Sequence, residues 1–220
     1  MNEHNQIVSN HYDLIAKSFD TSRVRIWNNV KSFLNKCDTT KQLKLLDFGC
    51  GNGKNMIYAI NQGYESVGYD ISEKLLNICK SKNLDVYYKD VLEDNITDQK
   101  FDKIICIAVL HHLETIELQK KAIKNLMKLL NPNGQLLISL WSMETFANQK
   151  MTVRKNIKDY RNFDLGPNYV DWKLDKNNII KRFYYIHDFT TIHELLEDIP
   201  SDNYKITWEF QNWFITINNF

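Results

Sequence analysis

The chain has 220 residues, of which 43% are hydrophobic and 12% aromatic, with 28 Lys and Arg against 27 Asp and Glu; that length and composition support a substantial core and exclude a disordered or low-complexity polypeptide. The near-neutral balance leaves no overall basic excess to announce a nucleic-acid partner, so any such partner must be argued from local charge. Cys37, Cys50, Cys79 and Cys106 are spread singly, so no metal site is expected and a reduced setting is; the polar start Met1-Asn2-Glu3-His4-Asn5-Gln6 and the lack of an apolar run near the roughly 18 residues of a membrane span predict a soluble, cytoplasmic protein.

Residues 7–36 read as two amphipathic helices. Ile7, Val8, Tyr12, Ile15, Ala16 and Phe19 recur at three- and four-residue steps, and after Asp20-Thr21-Ser22 the positions Val24, Trp27, Val30, Phe33 and Leu34 repeat the pattern. This helical cap is expected to cover one face of the core. Elements then alternate in type through residues 44–141. Strands are expected at 44–48, 66–70, 85–88, 101–109 and 135–141, and helices at 54–61, 72–82 and 116–130, with Ser72 as an N-cap and Asn131-Pro132-Asn133-Gly134 as a stop. Strands alternating with helices at this spacing imply right-handed crossovers and an α/β doubly wound, mostly parallel, Rossmann-like sheet with helices on both faces.

The stretch from Ser142 to Arg182 has weaker periodicity. Residues 150–182 hold nine Lys or Arg and four Asp or Glu, whereas residues 183–220 hold one Lys and six acids, so a basic insertion or lid is followed by an acidic end. A helix is expected at 190–198, then strands at 204–210 and 213–217 joined by Gln211-Asn212. So short a connection joins only antiparallel neighbours, so the sheet closes on a reversed strand. All 220 residues are expected to form one domain.

Leu45-Leu46-Asp47-Phe48-Gly49-Cys50-Gly51-Asn52-Gly53 is the stretch that organises the rest: a short apolar run, an acid, then glycines at alternating positions. Glycine admits positive φ and close approach of a ligand to the main chain. The third glycine arrives one residue too early for the dinucleotide fingerprint, and Lys54 stands where that fingerprint needs glycine, which weakens an NAD reading. Ligands of open α/β sheets bind past the carboxyl ends of the strands. Those ends carry the glycine turn, Asp70, Asp90 with Val91, and His111-His112 after Ala108-Val109-Leu110. A carboxylate at Asp70 suits the two hydroxyls of a ribose. Asp90 with Val91 suits an exocyclic amine beside a purine ring, and Asp47 suits orienting the turn or accepting from a bound ammonium.

In these motifs, and in Gly68-Tyr69-Asp70-Ile71-Ser72, Phe101-Asp102 and Asn131-Pro132-Asn133-Gly134-Gln135-Leu136, the chain resembles the class I S-adenosylmethionine-dependent methyltransferases. The resemblance implies S-adenosylmethionine as cofactor, held by Asp47, Gly49, Cys50, Gly51, Gly53, Asp70, Ile71, Asp90, Val91, Ala108 and His111. His11-Tyr12-Asp13-x-Ile15-Ala16-x-x-Phe19, Ser22-Arg23, Trp27, Tyr169-Val170-Asp171-Trp172, Arg182-Phe183-Tyr184-Tyr185 and Asn212-Trp213 are similar to the eukaryotic methyltransferases of carboxymethyluridine at the tRNA wobble position. Ile26 departs from that family, which usually has Pro before the tryptophan, and the basic insertion is shorter. The implied reaction is formation of a methyl ester on tRNA, and a carboxymethyl group, ionised at neutral pH, needs no strong base. On the substrate side the expectation is Tyr12, Arg23 holding a carboxylate or phosphate, Trp27 stacking on a base or packing the lid, and His112 positioning the reacting group. The resemblance also implies a small zinc-containing activator subunit, for which the Val86-Tyr87-Tyr88 strand offers an edge. A methyltransferase of small carboxylic acids or other metabolites, or a non-catalytic cofactor-binding regulator, shares the same cofactor motifs.

Overall fold

The computed structural model describes residues 2–35, 41–143, 163–175 and 177–219. Two helices, α1 (Glu3–Ser22) and α2 (Asn28–Leu34), precede the alternating block β1 (Lys44–Phe48), α3 (Lys54–Asn61), β2 (Glu65–Asp70), α4 (Glu73–Ser81), β3 (Asp85–Tyr88), β4 (Phe101–Ile107), α5 (Ile116–Lys128) and β5 (Leu130–Trp141). The hairpin β6 (Gly166–Lys173) and β7 (Ile179–Ile186), helix α6 (Phe189–Leu195) and the strands β8 (Tyr204–Glu209) and β9 (Asn212–Asn218) follow. The seven-stranded sheet runs β3-β2-β1-β4-β5-β9-β8. Strands β1 to β5 pair in parallel, and β9 is antiparallel to both β5 and β8. The doubly wound sheet with one reversed strand is thus present as expected.

Side chains alternate across a strand, and the central strands use both faces. Leu46, Ile104, Leu136 and Ile138 pack with Ile123 and Leu126 of α5 and with Ile192 and Leu195 of α6. Their neighbours Leu45, Ile105 and Leu137 face the other way, onto Val30 and Leu34 of α2 and Ala59 of α3. Truncating a wholly buried leucine such as Leu126 to alanine costs about 2–5 kcal/mol, so these layers fix the strand ends that bear the site.

Several boundaries differ from the sequence expectation, each for a local reason. Helix α1 begins at Glu3 because the Asn2 side chain accepts from the Asn5 N–H as N-cap, and α2 begins only after Trp27, whose backbone is extended. Val24 is consequently exposed rather than part of the second helix. Strand β4 stops at Ile107, not Val109, because Ala108 adopts φ 59° and Leu110–His112 form a 3-10 turn. Strand β5 begins at Leu130: it pairs with Phe101, the register shifts, and pairing resumes at Gln135 with Lys103, so Asn131–Gly134 bulges within the strand. The last hairpin turns on Phe210-Gln211, both at positive φ, one residue before the expected turn. The expected irregular insertion contains the β6–β7 hairpin, while most of its basic run, residues 144–162, lies outside the described residues, as does Cys37.

Candidate active site

The carboxyl ends of β1, β2 and β4 open onto a cavity of about 450 Å³, roofed by α1 and closed on its far side by β7, within the size range of small-molecule sites. Where β1 ends, Gly49 at φ 75° and Gly51 at φ 56° form the turn. A Cβ on Gly49 would stand 2.1 Å from Val109 Cγ2, and one on Gly51 would stand 3.2 Å from the Phe19 ring. Side chains are therefore excluded where the backbone lines the cavity. Asp70 braces this turn: its Oδ2 accepts the Gly51 N–H at 2.8 Å and its Oδ1 the Ser72 N–H at 2.8 Å. Burial raises the Asp70 pKa against the lowering by those amides. Asp70 lines the cavity, and a carboxylate acceptor at this place fits a ribose diol.

Helix α1 is stitched across this half. Asn5 Nδ2 donates to both Asp90 oxygens at 2.9 and 2.8 Å, Ser9 donates to the Ile71 carbonyl at 2.6 Å, and Ser72 donates to Asp13 at 2.6 Å. Asp20 pairs with Lys82 at 2.7 Å. Asp90 therefore already has a partner, and its remaining lone pairs are what an incoming amine would meet.

The other half is aromatic. His112 is 7% exposed; its Nδ1 lies 2.8 Å from the Phe183 carbonyl and its Nε2 2.8 Å from the Tyr12 hydroxyl. A carbonyl only accepts, so Nδ1 carries the proton and Nε2 accepts from Tyr12. Burial, with help from Arg182, pushes the His112 pKa down to about 3, so the ring is neutral and both nitrogens are engaged. Tyr184 stacks on Trp141 at 4.1 Å and on His111 at 4.7 Å. Arg182, on β7, is 5% exposed, with its guanidinium 4.7 Å from the Trp172 ring and 5.1 Å from Tyr184. Its Nη1 donates a long bond to the Tyr12 hydroxyl at 3.5 Å, and its Nε has no partner among the described residues.

The structure brings Tyr12, Arg23, Trp27 and His112 together with Gly49, Cys50, Gly51, Asp70, Ile71, Asp90, Val91 and Ala108 around the one cavity. Three predicted cofactor residues do not line it. Asp47 is wholly buried behind the turn, and burial, then Asp70, pushes its pKa up to about 7. Gly53 faces Leu84, and His111 backs Tyr184. Trp27 packs edge-on to Phe214 at 5.4 Å as well as lining the cavity, so it belongs partly to the core. Sequence reasoning passed over Asn5, Lys54, Trp141, Tyr184 and Arg182 as site residues. The pattern Arg182-Phe183-Tyr184-Tyr185 held the signal for two of them, but only the hairpin reveals which side faces in. The cavity's charged lining is Arg23, Arg25, Lys54, Lys89 and Arg182 against Asp70 and Asp90, a local excess that the neutral total conceals and that favours an anionic partner.

Comparison with known proteins agrees with this geometry. Residues 46–136 match the methyltransferase domain family. The chain is 38% identical over 133 residues to a tRNA (carboxymethyluridine(34)-5-O)-methyltransferase of Arabidopsis thaliana, covering 60% of this chain and 32% of that one. It thus spans about a third of that relative's length. A putative methyltransferase of Encephalitozoon cuniculi is 27% identical over 196 residues, covering 88% of this chain and 86% of that protein. Among solved structures, magnesium protoporphyrin IX methyltransferase of Synechocystis, with bound SAM, superposes over all of this chain and 99% of its own with a TM-score of 0.63 at 17% identity. Residues 46–136 therefore match the methyltransferase domain family, on a fold shared with solved methyltransferases, in a chain similar in sequence to the tRNA (carboxymethyluridine(34)-5-O)-methyltransferases.

Proposed function

We propose that this chain is an S-adenosylmethionine-dependent methyltransferase that forms the methyl ester of carboxymethyluridine at the tRNA wobble position. The observation that carries the reading is the state of His112, neutral and bonded at both nitrogens. The ring next to the reacting end cannot serve as a general base, which suits a nucleophile that is already ionised. A carboxylate is such a nucleophile, with a pKa near 4.

The bound cofactor supplies a methyl group on a sulfonium. Gly49 and Gly51 would admit its amino-acid end, Asp70 would accept from its ribose, and Val91 would wall the purine. Asp90, shared with Asn5, would offer its remaining lone pairs to the purine amine. Asp47, Gly53 and His111 support these residues from behind. Tyr12, fixed by its bond to His112, and the aromatic wall of Trp141 and Tyr184 orient the acceptor, while α1 excludes water. Alignment of this kind supplies much of the rate of an in-line displacement. Arg23, Arg25, Lys54 and Lys89 suit the phosphates of an RNA.

The test is nucleoside mass spectrometry of tRNA bearing carboxymethyluridine after incubation with the protein and labelled S-adenosylmethionine. Label recovered as an alkali-labile methyl ester at the wobble position is the expected result. Transfer to small carboxylic acids with none into tRNA overturns the reading, as does cofactor binding without turnover. We further propose that a small zinc-containing activator pairs along β3, an edge strand whose Tyr87 and Tyr88 are exposed. A one-to-one complex by hydrodynamic mass is expected; two species that migrate independently refute it.

A further inference from the structure

We propose that Arg182 is the specificity residue that selects an ionised carboxylate at the methyl-accepting end of the cavity, a role the sequence alone assigns to Arg23. The inference rests on the transferase reading above and names the group that recognises its substrate.

Arg182 is a permanent cation held in the interior without a counter-charge among the described residues. Among the described residues no ion pair involves it, its Nε is buried and unpartnered, and its only hydrogen bond is the long one to Tyr12. It lines the same cavity as the glycine turn and His112. The aromatic faces of Trp172 and Tyr184 lie against it. Arg23 lies 5.2 Å from the same Trp172 ring, so two guanidinium groups share one indole, and neither is in an ion pair with a described carboxylate. A charge buried in this way is costly unless paired, and since no described residue supplies the pairing anion, an incoming ligand is placed to supply it.

The surroundings choose the kind of anion. The guanidinium lies near both an indole and a phenol, and its planar fork matches the planar carboxylate on two parallel hydrogen bonds. Arg182 sits in β7 opposite Val170, and Trp172 is tied to α1 by its Nε1–H bond to Ser18 at 3.2 Å. The fork is thus held on a paired strand, whereas Arg23 is exposed, where an RNA phosphate can reach it. Charge also explains turnover. When a carboxylate oxygen bonds to the methyl carbon and the carbon–sulfur bond breaks, the electron pair stays on sulfur, the carboxylate becomes a neutral ester, and no proton moves. The ion pair with Arg182 disappears in the same step, so product is held less tightly than substrate.

The experiment measures binding of three anticodon stem-loop RNAs to the full chain in the presence of S-adenosylhomocysteine: one with carboxymethyluridine, one with its methyl ester, one with uridine. The wild-type protein should prefer the acid over the ester by about 10- to 100-fold. Arg182→Gln should bring that ratio to within about twofold of unity while affinity for the uridine RNA and for S-adenosylhomocysteine stays unchanged. Should Arg182→Gln fail to fold, Arg182→Lys decides: its point charge cannot make the paired bonds, so the acid-to-ester ratio should fall roughly tenfold. A ratio that survives in either variant, or an equal loss of affinity for all three RNAs, overturns the assignment to Arg182, the latter pointing to a phosphate contact. A wild-type protein with no preference among the three RNAs refutes the functional reading itself.

Discussion

Asp47 offers a direct test of how the cavity's back wall is built. Neither of its oxygens has a partner among the described residues, and burial first, Asp70 second, push its pKa up to about 7, against a lowering by Lys54. In the unfolded chain an aspartate titrates near 3.9. Between those values the folded state keeps a proton that the unfolded state has lost, so the contribution of Asp47 to stability is full below about pH 4 and is lost as pH rises to about 7. The slope is at most about 1.4 kcal/mol per pH unit, and the whole loss is about 4 kcal/mol as an upper bound. Asp47→Asn cannot ionise. Its stability relative to wild type should rise by roughly 2–4 kcal/mol from pH 4.5 to pH 8 and then level off. Any cost of the unmet amide is constant with pH and drops out of the slope. Urea unfolding of the ligand-free protein across this range reads the difference. A difference that stays flat with pH would falsify the placement of a protonated carboxyl behind the glycine turn.

Three further perturbations bear on the same region. Gly49→Ala introduces a Cβ 2.1 Å from Val109 Cγ2 at φ 75°, which should cost about 2–4 kcal/mol; Val109→Ala in that background should restore about 1–3 kcal/mol, and strictly additive effects in urea unfolding would contradict the clash. Tyr12→Phe leaves His112 Nε2 without its donor and Arg182 without its acceptor; steady-state kinetics on tRNA should show kcat down about tenfold with KM within about twofold, and an unchanged kcat would remove Tyr12 from the positioning chain. His187 is wholly buried, neither ring nitrogen has a partner among the described residues, and burial pushes its pKa down to about 4. The unfolded state binds its proton first, so stability falls as pH drops from about 6.5 to about 4; His187→Leu should lessen that acid loss by up to about 1.4 kcal/mol per pH unit, and parallel pH profiles for the two proteins would refute this.

The cofactor half of the site was legible because its signals are local. A strand, a glycine turn and an acid at the next strand end are read within a few residues of one another, and Gly49, Gly51 and Asp70 meet at one hydrogen-bonded turn. Depth was not legible. Asp47 and His111 stand beside lining residues in sequence, yet strand alternation turns the first behind the wall and the 3-10 turn sets the second behind Tyr184. The hairpin was missed because the alternation along β6 and β7 falls inside a charged run, and the Asp175 turn that joins them, with its side chain accepting from the Asn177 and Asn178 amides, lacks glycine. The final turn slipped by one residue because Phe210 and Gln211 occupy positive φ, positions usually given to Asn and Gly.

The two halves of the cavity also differ in where they come from along the chain. The methyltransferase domain match ends at residue 136 and begins at residue 46, and it contains the turn, Asp70 and Asp90 but neither Tyr12, Arg23 nor Arg182. The half proposed to take the acceptor is assembled from α1 before the domain and the β6–β7 hairpin after it, joined by the Tyr12 hydroxyl between His112 and Arg182 and by Trp172 on Ser18. Only His112 in that chain of contacts belongs to the domain. Its two nitrogens grip one element from each addition, Tyr12 of α1 and the Phe183 carbonyl of β7. A ring that is neutral across the physiological range keeps this grip unchanged with pH, in keeping with the proposed role of His112 as a joint rather than a base. Substrate choice can then change through α1 and β7 while the sheet and its glycine turn stay as they are.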